Sequence, residues 1–81
     1  MIVLKQIQDK IIQAIKESGL TQTELAKRLG VKQPTIGQYL SGRAMPALDT
    51  FANLCAVLDV DPSDILCLND FGKTLEQNNK I

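Results

Sequence analysis

The chain has 81 residues, of which 44% are hydrophobic and 22% charged, and its formal net charge is zero with no histidine. This composition excludes a disordered chain, and the length favours one small domain whose thin core leaves little room for a catalytic cleft. Without histidine, neither a Ser-His-Asp nor a Cys-His catalytic set can form. Two cysteines outside a Cys-x-x-Cys spacing predict no zinc site. We therefore expect a protein that is not an enzyme and needs no cofactor.

The charges are unevenly distributed along the chain. A neutral total argues against binding to nucleic acid, but residues 21–45 are basic and residues 46–81 are acidic. The basic residues of the first segment, against the single acidic residue Glu24, are Lys27, Arg28, Lys32 and Arg43. Because phosphate groups respond to the local field and not to the sum of charges, the middle of the chain is compatible with a polyanion. The acidic end serves either plain solubility or a protein partner.

The N-terminal segment predicts an amphipathic helix over residues 2–18. Its apolar stripe, at spacings of three and four, consists of Leu4, Ile7, Ile11 and Ile15. Gly19 is a natural residue to end it, since glycine readily adopts the left-handed conformation found after helices. The segment is interrupted by Lys5, Asp9 and Lys10, so it predicts neither a secretion signal nor a membrane span. We expect a cytoplasmic protein with no membrane partner.

A second, shorter helix is predicted to begin at a capping box formed by Thr21 and Glu24. In that motif the Thr21 hydroxyl accepts a hydrogen bond from the Glu24 amide, and the Glu24 carboxylate accepts one from the Thr21 amide. The buried side of this helix consists of Leu25, Ala26 and Leu29. Gly30 follows at once, where a positive φ would turn the chain sharply.

A third helix is predicted to begin with Gln33 as its cap and Pro34 as its first residue. Proline fits the first helical turn, where its missing N–H has no partner anyway, and it biases the preceding residue away from helical angles. The inner face consists of Ile36, Tyr39 and Leu40. Ser41 and Gly42 end the helix. Two helices joined by a tight glycine turn, with apolar residues at both joints, form the helix-turn-helix pattern.

Two more helices complete the prediction. The apolar pattern of the fourth consists of Leu48, Phe51, Leu54, Cys55 and Leu58. Cys55 is interpreted as a small core residue, and Val60 packs after the helix. Asp61 and Pro62 form a start signal for a short fifth helix. The apolar residues of that fifth helix are Ile65 and Leu66.

These elements predict an all-α bundle of about five short helices, because no segment alternates convincingly as a strand. We expect a helix-turn-helix domain over residues 1–67 and a C-terminal tail, residues 68–81, as a possible oligomerisation segment. The chain shows no internal repeat and no low-complexity tract.

The stretch LTQTELAKRLGVKQPTIGQYLSGRAMPALDTFANLCAVLDVDPSDIL resembles the Xre/Cro family, the lambda-repressor-like DNA-binding domains of phage and bacterial regulators. The residues that support the resemblance are Thr21-Gln22, Glu24-Leu25-Ala26, Gly30-Val31, Ile36, Ser41-Gly42-Arg43, Pro46, Leu48 and the Leu58, Val60, Pro62 end. The resemblance implies a five-helix bundle whose third helix enters the major groove of double-stranded DNA.

The resemblance also implies two sets of DNA-contacting residues. Base reading is assigned to Lys32, Gln33, Pro34 and Thr35 near the start of the third helix and to Gln38 one turn further along. Phosphate binding is assigned to Gln22, Ser41, Gly42 with its amide, and Arg43. In the family, the glutamine matching Gln22 also braces the one matching Gln33. The plain alternative is that these are solvated helix residues, and that Tyr39 is a core residue and not a DNA contact.

Three residues depart from the family pattern. Lys32 stands where the family often has a serine or threonine cap, and Pro34 replaces a residue that often touches a base. Gly37 lies inside the third helix, at a cost of about 1 kcal/mol relative to alanine. Gly37 either lets the helix approach the DNA backbone or is a tolerated weakness. Because of these three departures, the operator sequence of the family cannot be transferred to this chain.

The functional expectation is a phage or prophage repressor of the Cro type that binds operator half-sites as a homodimer. The dimer surface is assigned to apolar residues beyond the needs of one core, namely Ile2, Val3, Leu68, Phe71 and Leu75. The alternative is an interaction module, such as an antitoxin, whose partner is a toxin or an antirepressor protein.

Overall fold

The computed structural model describes residues 1–69, and its regular elements there are five α-helices. They are α1 (Leu4–Glu17), α2 (Gln22–Leu29), α3 (Gln33–Ser41), α4 (Leu48–Leu58) and α5 (Pro62–Ile65). The predicted all-α bundle of about five short helices is confirmed for this part of the chain. No helix in this range has both the length and the apolar character needed to cross a bilayer.

The core draws side chains from all five helices. Its buried residues are Ile11, Ile15, Leu25, Ala26, Ile36, Tyr39, Leu54, Cys55 and Ile65. Leu25 of α2 and Ile36 of α3 have no exposed surface at all, and full burial of each contributes about 2 kcal/mol. The two helices of the helix-turn-helix are therefore fixed against each other at the centre of the core, and Cys55 is a core residue as predicted.

Helix α1 begins two residues later than predicted, and its apolar stripe is shorter. Ile11 and Ile15 are buried and Ile7 is half-buried, but Leu4 is 63% exposed and takes no part in the core. The helix starts after Val3, whose amide donates to the Gln6 side chain at 2.8 Å. The N-terminal turn of α1 thus extends past the helices that cover its central part.

Helices α2, α3 and α4 end in the same way. A residue with positive φ follows each helix: Gly30 at 72°, Gly42 at 79° and Asp59 at 54°. In each case the next amide donates to a carbonyl five residues back, in the pairs Val31 to Ala26, Arg43 to Gln38 and Val60 to Cys55, all at 3.0 Å. This Schellman arrangement reverses the chain within a few residues.

Two details of the C-terminal helices differ from the prediction. Leu48 is the first residue of α4 and is 87% exposed, so it is not part of the inner face. Helix α5 ends at Ile65, which leaves Leu66 as its cap. The start of α5 is as predicted, since the Asp61 carboxylate accepts from the Ser63 amide at 2.9 Å.

Candidate nucleic-acid interface

Thr21 caps α2, but its pairing with Glu24 differs from the predicted box. The Thr21 hydroxyl oxygen accepts from the Glu24 amide at 3.1 Å, as predicted. The Glu24 carboxylate accepts from the Thr21 hydroxyl at 3.0 Å and not from the Thr21 amide. A single hydroxyl thus serves as both acceptor and donor at the helix start, which orders the first turn of α2.

The first turn of α3 begins one residue earlier than predicted. Lys32 is the cap, with extended backbone angles, while Gln33 is the first helical residue and Pro34 the second. A lysine ammonium has no acceptor, so it leaves the first amides of the helix without a side-chain cap. Pro34 removes one of those amides altogether.

The predicted base-reading residues share one exposed region of α3. Lys32, Gln33, Pro34 and Gln38 are exposed, and Thr35 is partly so. The side chains of Gln33 and Gln38 make no hydrogen bond within residues 1–69. Their carboxamides therefore present both donors and acceptors to the outside of the helix.

Three of the four predicted phosphate-binding residues lie together at the end of α3, namely Ser41, Gly42 and Arg43, but two of these are already engaged. The Gly42 amide donates to the Tyr39 carbonyl at 3.2 Å, and the Ser41 hydroxyl donates to the Gln38 carbonyl at 3.1 Å. Arg43 is exposed, and within residues 1–69 its guanidinium makes no hydrogen bond or ion pair. At this end of α3 the free donor is the Arg43 side chain.

Gln22, the first residue of α2, lies against Gly37 of α3. A Cβ atom placed on Gly37 would be 3.7 Å from the Gln22 Oε1 atom. The hydrogen bonds of residues 1–69 include none between Gln22 and Gln33, so the bracing implied by the resemblance is not present here. The glycine inside α3 faces the side chain of Gln22.

Gln8 of α1 contacts the residue that caps α3, a contact that was not among the predictions from the sequence. Its Nε2 atom donates to the Gly42 carbonyl oxygen at 2.9 Å, across 34 residues of sequence. A signal was present in the sequence, because Gln8 lies three residues before the buried Ile11, on the flank of the apolar stripe. A half-buried carboxamide at such a position needs a hydrogen-bonding partner.

Tyr39 is buried on the inner side of α3, with 6% of its surface exposed. Burial raises the pKa of its phenol, and the negative charge of Asp49 raises that pKa further. This position fits the interpretation of Tyr39 as a core residue.

A groove of about 410 Å³ lies between α1 and the α4–α5 connection. Its carboxylates are Glu17, Asp59, Asp61 and Asp64. This charge would repel a phosphate backbone, so the groove does not belong to the surface described above. No group of three or more metal-ligating side chains converges anywhere in residues 1–69.

A family model described as Helix-turn-helix matches residues 11–65, more than half of the chain. The chain belongs to the Xre/Cro-like helix-turn-helix family. The match begins inside α1 and ends with α5, so it contains every core residue of the fold.

Several curated proteins share this helix-turn-helix segment. An HTH-type transcriptional regulator for conjugative element R391 of Providencia rettgeri is 39% identical over 41 residues, which cover 51% of this chain and 19% of the regulator. Putative protein P2 of Acyrthosiphon pisum secondary endosymbiont phage 1 is 42% identical over 41 residues, 51% of this chain and 44% of that protein. Antitoxin HigA1 of Mycobacterium tuberculosis is 34% identical over 55 residues, 68% of this chain and 37% of the antitoxin.

The matched segments therefore span less than half the length of each of these relatives. No solved structure matches the chain.

Proposed function

We propose that this protein is a sequence-specific, double-stranded DNA-binding transcriptional regulator of the phage or prophage Cro and repressor type, which binds operator half-sites as a homodimer. The observation that supports this most directly is the division of α3. Ile36 and Tyr39 anchor one face in the core, while Gln33 and Gln38 present unengaged carboxamides on the other.

The exposed half of α3 suits the major groove, which admits one helix and displays a distinct donor and acceptor pattern for each base pair. The Gln33 carboxamide can pair with N6 and N7 of adenine, and Lys32 can donate to guanine or to a phosphate. Pro34 offers an apolar contact for a thymine methyl group. Thr35 and Gln38 lie further along the same exposed region.

The flanks of this region suit the phosphate backbone. Arg43 has a free guanidinium at the end of α3, and Gln22 lies exposed at the start of α2. Lys27 and Arg28 are exposed in the last turn of α2 and add positive charge. Such contacts set the orientation of the protein on the duplex without reading its sequence.

A single recognition helix covers only a few base pairs, so typical specific affinity needs two half-sites about one helical turn apart. Apolar side chains at the ends of the domain support a second copy as partner. Val3 is 53% and Leu68 is 46% exposed, and Ile2 is half-buried. Phe71 and Leu75, also assigned to the dimer surface, lie outside the described residues.

The test begins with selection of bound sequences from a pool of random duplexes, which yields the operator without assuming it. Fluorescence anisotropy then compares the selected duplex with a scrambled one over a range of salt concentrations. We expect at least ~10³-fold tighter binding to the selected duplex and a steep fall of log K with log salt. Gln33→Ala should reduce the preference, and Arg43→Ala should weaken both duplexes.

The matched control is Gln13→Ala, which removes an exposed glutamine of α1 that pairs with Glu17 at 2.9 Å. It should leave binding to both duplexes unchanged. Equal, weak binding of wild type to both duplexes, with no sequence enriched from the pool, would contradict the proposal.

A second candidate is a protein-interaction module, for which the acidic groove is the relevant observation. Leu58, Val60 and Ile65 supply apolar surface beside its four carboxylates, a combination that suits a basic segment of another protein. The similarity to an antitoxin agrees with this alternative. Stoichiometric co-purification of a partner encoded beside this chain would favour it, provided that Asp61→Asn and Asp64→Asn weaken the complex.

A further inference from the structure

The contact between Gln8 and Gly42 joins α1 to the end of α3. Besides the hydrogen bond from Nε2 to the Gly42 carbonyl at 2.9 Å, the carboxamide lies beside the position that a Cβ atom of residue 42 would occupy. A Cβ atom on Gly42 would lie 3.4 Å from each of Cδ, Nε2 and Oε1 of Gln8. Three equal distances mean that the plane of the amide group faces Gly42 broadside, so the side chain is both a donor and a packing surface.

The peptide that Gln8 holds is the one that leads to Arg43. The Gly42 carbonyl belongs to the peptide group whose nitrogen is the Arg43 amide, and that amide donates to the Gln38 carbonyl at 3.0 Å. This peptide group is therefore held from both sides. The Ala44 amide donates to the same Gln38 carbonyl at 3.3 Å, so the backbone is held on both sides of the Arg43 Cα atom. This fixes the direction of the Arg43 Cα–Cβ bond, and with it the reach of the guanidinium.

The anchor for this contact is rigid. Ile11 and Ile15 bury the following turns of α1 in the core, and Gln8 precedes Ile11 by one turn. A long, exposed arginine loses conformational freedom when it binds a phosphate. A fixed backbone beneath it reduces the number of orientations that must be given up, which favours binding.

We propose that Gln8 is a positioning residue for DNA binding, which orients Arg43 toward the phosphate backbone without itself touching the duplex. This inference rests on the proposed function and gives a helix outside the helix-turn-helix an indirect part in DNA binding. Because it acts through a phosphate contact, Gln8 sets affinity for any duplex and leaves the preference between duplexes unchanged.

The decisive variant is Gln8→Met, which keeps the length and volume of the side chain but removes the donor. Anisotropy should show binding to the selected and scrambled duplexes weakened by the same factor, roughly three- to tenfold, as expected when the bound Arg43 side chain must give up more conformational freedom. The slope of log K against log salt should fall by no more than about 0.9, the value for a phosphate contact that is lost altogether. Gln13→Met, also on α1, is the matched control and should change neither quantity.

A double-mutant cycle with Arg43→Ala separates positioning from plain stabilisation. If Gln8 acts through Arg43, then Gln8→Met has no further effect on DNA binding once Arg43 has been replaced. Suppose instead that wild type binds DNA and that Arg43→Ala weakens this binding. If the effects of the two substitutions then add, or if Gln8→Met has no effect, this inference is wrong and the proposed function stands. If wild type binds no duplex, the proposed function fails and the inference fails with it.

Amide hydrogen exchange of the free protein gives a readout that does not depend on DNA. In Gln8→Met we expect faster exchange at the Arg43 and Ala44 amides, which both donate to Gln38, and unchanged exchange in the rest of the bundle. Faster exchange throughout residues 1–69 would mean that Gln8 stabilises the fold generally, and would overturn the inference.

Discussion

The amide of Val31 donates to the carbonyl oxygen of Ala26 at 3.0 Å and closes the turn between the two helices of the helix-turn-helix. Ala26 is buried and Val31 is half-buried, so the bond lies beside the apolar contact that usually accompanies a Schellman end. The angle between α2 and α3 depends on this turn.

Gly30 and Gly42 have nearly the same positive φ, but their surroundings differ. A Cβ on Gly30 meets nothing within 4 Å, whereas one on Gly42 meets Gln8 at 3.4 Å. Gly30→Ala should lower the free energy of unfolding by about 1 kcal/mol because of its backbone angles alone. Gly42→Ala should lower the free energy of unfolding by more, because its Cβ also meets the Gln8 side chain, and urea denaturation measures both variants. Replacing Gln8 with alanine should remove the difference between the two glycine variants. An equal cost for both glycines in the wild-type background would contradict the Gln8 contact.

Lys32→Ser should make the protein more stable and worse at binding DNA. Serine can accept from the first amides of α3, which Lys32 leaves without a side-chain cap, and a new N-cap is worth about 1 kcal/mol. The same change removes a proposed contact to guanine or phosphate. Thermal unfolding and anisotropy on one preparation check both effects. Lys16→Ser, which removes an exposed lysine in the last turn of α1, should show neither.

Of the three helices that end in a Schellman motif, α4 has Asp59 where the other two have a glycine. We expect replacement of Asp59 to stabilise the fold. Its φ of 54° strains a residue with a Cβ, and its carboxylate lies at the negative end of the α4 dipole. Asp59→Asn removes the charge and Asp59→Gly removes both costs, so we expect gains of about 0.5 and about 1 kcal/mol in the free energy of unfolding. The order of the two variants in urea denaturation is the check, and a loss of stability in Asp59→Gly would refute the explanation.

Thr21→Ala should destabilise the protein by about 1 kcal/mol, because it removes the hydroxyl that caps α2. Thr21→Ser keeps the hydroxyl and should stay close to wild type in thermal unfolding. Thr23→Ala, an exposed neighbour in the same turn, is the control for helix propensity alone. If the alanine variants at the two positions lose equal stability, the cap at Thr21 is not the cause.

Stability should fall at alkaline pH. Burial raises the pKa of the Cys55 thiol above its ordinary value, with a smaller contribution from the charge of Asp61. Burial, followed by the charge of Asp49, likewise raises the pKa of the Tyr39 phenol. Both groups are neutral acids in the fold and ionise more easily when unfolded. Their contribution is therefore complete below the unfolded pKa values and is lost as pH rises through the folded ones. As the pH rises from about 8 to about 11, the melting temperature should fall less steeply in Tyr39→Phe than in wild type.

Much of the fold follows from local sequence, because apolar spacing and helix ends are local properties. Leu25, Ala26, Ile36 and Tyr39 are buried as their spacing predicts, and Gly30 turns the chain where expected. Leu4 and Leu48 were predicted wrongly for a common reason. Periodicity assigns the first residue of a helix to its apolar stripe even where the neighbouring helices do not reach that far.

The start of α3 and the Gln8 contact needed the three-dimensional structure. The restriction that Pro34 imposes on Gln33 predicts an extended residue there, but the extended residue is Lys32, one position earlier. The bond from Gln8 to Gly42 joins residues 34 apart, so no local pattern contains both partners. The base and phosphate assignments stay predictions, supported by exposure at Gln33, Gln38 and Arg43.

The exposed and buried faces of α3 share no residue. Ile36 and Tyr39 maintain the fold, while Lys32, Gln33 and Gln38 contribute nothing to the core. Evolution, or a combinatorial library at these three exposed positions, can therefore rewrite what the helix recognises while the architecture beneath it stays constant. One bundle of this size can supply a whole repertoire of regulators whose binding preferences do not overlap.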